Sequence, residues 1–248
     1  MTKQLYTGAE LSEMLEAIRT TAVAHCRLLR PLAGGQPADD AGLRGFVEHH
    51  LGIPPETLEF TAALERIKRE EIGERDTTPE TGELETLEVY QVNVVRRSAK
   101  GPYILEHMVK AMLKQSASRL GLFMAQKKRG SKGDLAEFGT VTASGESLQD
   151  SARPWEIYPR IDGGPASTSY VKISGSVNTP QGKKSIQHHT EVIAEGSEFW
   201  FELRWPATRL NPDDIARIIA GGAIIGLGSC LSLGYGAFRV ETLEISAR

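Results

Sequence analysis

From residue 226 to 238 the chain reads Gly226-Leu227-Gly228-Ser229-Cys230-Leu231-Ser232-Leu233-Gly234-Tyr235-Gly236-Ala237-Phe238, and the elements on either side of this run constrain the fold more than any other feature. Ahead of it, Asn211 caps a helix with Pro212 at its first position and Asp213 and Asp214 in its first turn, burying Ile215, Ile218 and Ile219. Behind it, Ala237 to Ile245 reads as a closing strand. A dinucleotide-binding fold places its glycines after a strand and before a helix, so the order found here excludes it. A P-loop is excluded too, because no Gly-Lys-Ser/Thr follows at the required spacing. Two readings of the run stay open. Its glycines present consecutive backbone N–H groups to phosphate oxygens, or they form a tight loop that packs a helix onto a sheet.

The rest of the chain mixes helices and strands without regular alternation. Thr7 and Glu10 form a capping box ahead of Leu11, Met14, Leu15 and Ile18, which predicts a helix over about residues 8 to 19. Thr20 to Leu32 reads as a buried strand ending at Pro31 and the turn Gly34-Gly35. Asp39 or Asp40 caps a second helix with Leu43, Phe46, Val47 and Leu51 on its apolar face; residues 56 to 72 form an acidic helix, and 76 to 83 a polar loop. A strand over 87–95 ends in Arg96-Arg97. After Gly101-Pro102 comes a helix whose stripe of Leu105, Val109, Met112, Leu113, Ala117 and Leu120 is opposed by His107, Lys110, Lys114 and Ser118. Gly121 stops it, and Lys127, Lys128, Arg129 and Lys132 follow in a flexible basic loop. Strands over Trp155 to Ile161, Ser169 to Ser174, Lys184 to Thr190 and Glu198 to Trp205 complete the pattern. This order favours an α+β fold in one domain, residues 1–248, with 55–86 and 124–154 as inserted or mobile segments.

A length of 248 residues, 40% of them hydrophobic, is enough to bury a real core. The net charge of −3 conceals a polarity. Pro55 to Val89 carries eleven Asp or Glu against four Lys or Arg, whereas Gln91 to Asp134 carries two against ten. Such asymmetry between neighbouring segments points to a face for a polyanion, or to acidic and basic segments pairing within the fold. Cys26 and Cys230 have no metal-ligand spacing, and no metal or cofactor is implied. No apolar run reaches membrane-spanning length and no signal-peptide core follows Met1, so the cytoplasm is the expected location.

Holding a nucleic-acid backbone takes cations along a groove and flat groups for bases. Arg96, Arg97, Lys110, Lys114 and the 127–132 loop supply the first; Tyr103, Tyr235 and Phe123 are candidates for the second. Lys183, Lys184 and His188 form a basic hairpin around the turn Thr179-Pro180-Gln181-Gly182, read either as a backbone contact or as a solvated turn. For nuclease chemistry His25, Asp39 and Asp40 are the candidates, but a core strand and a helix cap explain them more simply, and no catalytic residue is assigned.

Three segments resemble one family in a common order. They are Gly101-Pro102-Tyr103-Ile104 running into Lys110-Ala111-Met112-Leu113, the strand Glu191 to Phe201, and the helix followed by Gly226-Leu227-Gly228-Ser229 and Gly234-Tyr235-Gly236-Ala237-Phe238. They are similar to the RAMP superfamily of CRISPR-associated proteins, in particular the RNA-binding backbone subunits of CRISPR effector complexes; some phage-encoded proteins look similar too. The resemblance implies a ferredoxin-like or RRM-like core with an antiparallel sheet, inserted loops and a C-terminal glycine-rich loop. It also implies single-stranded RNA (possibly DNA) as ligand, held by its backbone, with other subunits of a ribonucleoprotein or further copies of the chain as partners. Gly226, Gly228, Ser229, Gly234, Tyr235 and Gly236 would then join the cations as binding residues. Where the family loop often carries Arg or Lys, this chain has Leu231, Ser232 and Leu233. The alternatives are a metal-independent endoribonuclease that processes repeat RNA, and a self-assembling structural or phage component without nucleic acid.

Overall fold

The computed structural model describes residues 19–38, 40–72, 90–122, 139–148, 153–179, 182–206 and 210–247, together with Thr7 and Leu135. The helix expected from residue 8, Asp39, and the loop over 76–83 lie outside the described residues.

The central strand is β1, Arg19–Leu28. Its Ala22, Ala24, Cys26 and Leu28 are at most 1% exposed and alternate with partly exposed Thr21, Val23, His25 and Arg27, the period of two that one covered face imposes. Helices α1 (Asp40–Gly45) and α2 (Leu58–Ile67), strand β2 (Tyr90–Val94) and helix α3 (Glu106–Arg119) follow. Next come β3 (Thr140–Ala143), the long hairpin of β4 (Thr168–Thr179) and β5 (Gly182–Ile193), and β6 (Glu198–Pro206). Helix α4 (Pro212–Ile225) and β7 (Phe238–Ala247) end the chain.

β1 pairs antiparallel with both β6 and β7, and β3 pairs antiparallel with the far edge of β6. The strand order is therefore β7-β1-β6-β3, with α3 preceding β3 and α4 joining β6 to β7. A βαββαβ path with these neighbours is a ferredoxin-like core, and the fold is α+β with mainly antiparallel sheets. Phe199, Phe201, Leu203 and Trp205 of β6 are all 0% exposed, in one cluster with Val109 and Leu113 of α3 and Ile215, Ile218 and Ile219 of α4. The two helices thus cover one face of the sheet. Asn211 accepts from the Asp214 amide (2.8 Å), the cap read from the sequence. On α3 the expected apolar stripe is buried at Val109, Met112, Leu113 and Ala117, but Leu120 is 46% exposed. The helix ends at Arg119, so Leu120 sits in the cap and leaves the stripe.

Residues between β1 and α3 join the β4–β5 hairpin in a second sheet. β2 runs parallel to β5, and the short strand Gln36–Pro37 closes its other edge. Helix α1, the helical turn Phe46–His50 that continues it, and α2 cover this layer through Leu43, Val47, Phe60, Ala63 and Ile67, packed on Val92 and Val94. Thr57 caps α2 by accepting from the Phe60 amide (3.1 Å). The single strand expected over Trp155 to Ile161 is instead two short ones, Glu156–Ile157 and Arg160–Ile161, in different sheets. Pro159 between them has no N–H to give a ladder. Among the described residues no helix is long and apolar enough to cross a membrane.

Candidate nucleic-acid interface

A cleft of about 280 Å³ opens where the chain leaving β1, the end of β2, the start of α3 and the glycine-rich loop meet. Its deepest side chains are apolar: Leu32, Val94, Val95 and Ile104 are at most 3% exposed. Gly35 and His107 are exposed at its mouth, with Arg96, Phe46 and Met108 half-buried. None of its fifteen described lining residues carries a carboxylate.

Local structure explains how Arg96 arrives there. Arg97 pairs with Pro102 and Ser98 with Gly101 in a two-stranded turn, and the Tyr103 amide donates to the Arg96 carbonyl (2.9 Å). The Gly101-Pro102-Tyr103 motif therefore folds the chain back and sets Arg96 beside the first turn of α3. The Arg96 guanidinium also donates to Gln36 Oε1 (2.8 Å), and Gln36 is only 4% exposed, so the chain leaving β1 fixes the cation's position. His107 is the second residue of α3. Lys110 and Lys114 continue its stripe along the helix, extending the basic line by roughly 10 Å at 1.5 Å per residue. Burial, and then repulsion from Lys114, hold the Lys110 ammonium below its ordinary pKa, with Glu106 opposing the shift. Two like charges four residues apart cost helix stability; an anion against them would relieve that cost.

The glycine-rich loop contributes differently from the expectation of exposed amides. Its N–H groups are largely spent inside the protein: Leu227 donates to Gly236 (2.9 Å), Ser229 to Ala33 (3.1 Å), Gly234 to Leu231 (3.0 Å) and Gly236 to Pro31 (2.8 Å). The Gly226 amide closes the last turn of α4 on Gly222 (2.9 Å). The Ser229 hydroxyl donates to the carbonyl of Gly34 at 2.6 Å. The geometry explains the glycines: at Gly236 (φ +70) a Cβ would lie 1.8 Å from the Leu227 oxygen, and at Gly228 (φ +87) 2.6 Å from that of Ala33. The loop is thus a clip that holds the residues after β1 in place, and Gly228 and Ser229 form one wall of the cleft. Tyr235 is half-buried within it.

Other candidates stand apart from the cleft. Arg97 donates to Thr168 Oγ1 (2.6 Å) and to Glu191 Oε1 (3.0 Å); Glu191, 2% exposed, also accepts from the Val95 amide (3.0 Å). A buried carboxylate requires such partners, so the charge of Arg97 is committed to the fold. His188 on β5 lies 3.4 Å from the Asn93 side chain, and burial lowers its pKa, which disfavours the cationic form. Lys183 and Lys184 fall on β5, with their side chains outside the described residues, as are Lys127, Lys128, Arg129, Lys132 and Phe123. Tyr103 is 7% exposed and its ring lies tilted at 53° to that of Tyr158, with centroids 5.8 Å apart, so it is a wall and not a stacking platform.

His25 sits on the face of the sheet opposite α3 and α4. Its Nε2 is 3.0 Å from Glu198 Oε2 and its ring stacks on Trp200 at 4.3 Å and 7°. Gly145 covers the indole closely enough that a Cβ there would lie 2.9 Å from it. The histidine is a packed, paired group, and among the described residues no cluster of His, Cys, Asp or Glu could hold a metal ion. Gly35, Gln36 and Phe46 did not stand out in the sequence as site residues. The only hint was the Gly34-Gly35 pair after the first strand, which reads as an ordinary turn.

No protein-family model matches the chain, and no curated protein matches it. Among solved structures the chain is similar to one in a "Cryo-EM structure of the Type III-B Cmr-beta bound to cognate target RNA", with 14% identity and a TM-score of 0.45. The match covers 96% of this chain and spans 64% of the length of that neighbour.

Proposed function

We propose that this chain holds single-stranded RNA by its backbone, as one subunit of a ribonucleoprotein assembly. The observation that carries the reading is the carboxylate-free cleft, with Arg96 and His107 at its mouth and Lys110 and Lys114 on the same helix stripe. A strand laid along that line meets the Arg96 guanidinium, His107 and then the ammonium groups of Lys110 and Lys114, while Gly228 and Ser229 of the clipped loop line the cleft. The ordered resemblance of its motifs to the RAMP superfamily agrees with this role. Fluorescence anisotropy with labelled single-stranded RNA and DNA, at low and high salt, tests it. Binding at low salt that weakens with a log–log slope of roughly −0.7 per phosphate contact is expected. No binding of either strand at low salt, by monomer or oligomer, overturns it.

A further inference from the structure

We infer that the cleft seats one unstacked base of the bound strand, with the backbone crossing its mouth at Gly35; this rests on the RNA-holding reading above. Phosphates alone ask for a polar, cationic surface. This cleft instead descends from Arg96 and His107 to a floor of Val94, Ile104 and Leu32, with the half-buried Phe46 and Met108 also lining it. An apolar slot under a basic rim matches a nucleotide, whose flat base seeks apolar contact while its phosphate stays at the rim.

The two adjoining glycines of the cleft, Gly34 buried and Gly35 exposed, differ in what the fold asks of them. A Cβ on Gly34 would fall 2.3 Å from the Val94 carbonyl carbon, so the fold itself requires glycine there. A Cβ on Gly35 would meet only the Ser229 side chain, its Cβ at 3.5 Å and its Oγ at 3.9 Å, ordinary contacts, and its φ lies outside the left-handed region. The fold accepts a side chain at Gly35, yet any side chain there narrows the opening. A base still paired in a duplex cannot enter, so the class of ligand is a single strand, recognised by stacking and not by sequence.

The test compares a single-stranded RNA with a sugar-phosphate strand of equal length and charge that lacks bases, by anisotropy on the full chain. The baseless strand is expected to bind about fivefold to a hundredfold more weakly, the range that loss of one stacked base implies. Gly35→Val and Phe46→Ala should weaken binding of intact RNA to the baseless level while leaving the salt slope unchanged. Melting temperature checks the fold, and because Phe46 also packs on the second core, the Gly35 variant and the wild-type comparison of strands carry the result. Equal binding of the two strands by the wild type overturns the base seat and leaves the backbone-holding role standing. Failure of every strand to bind overturns both.

Discussion

Lys110 and Lys114 illustrate a conflict between stability and binding at the level of single side chains. Removing both charges relieves a repulsion worth about 0.2–0.5 kcal/mol and installs the best helix former. Lys110→Ala with Lys114→Ala should therefore leave the melting temperature unchanged or slightly raised, while the salt slope for single-stranded RNA falls by roughly 1.4. Arg97 should behave in the opposite manner. Arg97→Ala strands the buried Glu191 carboxylate, costing about 2–3 kcal/mol in a denaturant titration, and the salt slope should stay as it was. All three residues were legible in the sequence as cations, but that Arg97 is the committed one was not: Glu191 lies 94 residues from Arg97, and no local pattern reports a partner that distant.

Among the elements, α3 and α4 could be read with their caps and buried faces because those signals are local: Asn211-Pro212 at one start, Gly121 at one stop. The alternation of β6 was equally plain, whereas β1 reads as a strand that alternates poorly, because two of its buried positions are the small Ala22 and Ala24 and the apolar Val23 faces the other side. The glycine-rich loop was located correctly between helix and strand, but its chemistry was hidden, since the carbonyls it clips belong to Pro31–Gly34; the Ser229–Gly34 bond closes 195 residues of chain. Its glycines are not equivalent. Gly236→Ala places a Cβ in the Leu227 carbonyl and should cost at least about 2 kcal/mol by thermal melting. Gly234→Ala, with open space around it at φ +84, should cost only about 1 kcal/mol of left-handed strain. The β4–β5 hairpin gives a pH signature through His188. Its folded pKa is depressed by burial, so the unfolded chain binds the proton more readily, and stability is full above the ordinary value of 6.5 and declines as pH falls through it. The drop in melting temperature between pH 7.5 and 5.5 should shrink in His188→Gln.

At the scale of the whole molecule, a ferredoxin-like core carries a second layer made by the segment between β1 and α3 together with the β4–β5 hairpin between β3 and β6, and the cleft lies on the seam between core and layer. That placement explains why the site was only half visible beforehand. The basic stripe of α3 and the glycine loop belong to the core and have sequence signatures, whereas Gly35, Gln36 and Phe46 come from the insertion and gain meaning only when the layers close. The face of the sheet opposite α3 and α4, with the paired His25 and Trp200, offers the competing surface. Ultraviolet cross-linking of the chain to single-stranded RNA, with the linked peptides identified by mass spectrometry, distinguishes them directly. Cross-links in the peptides carrying Phe46, Arg96 and His107 are the expected result; cross-links confined to the peptides carrying His25 and Trp200 would contradict it.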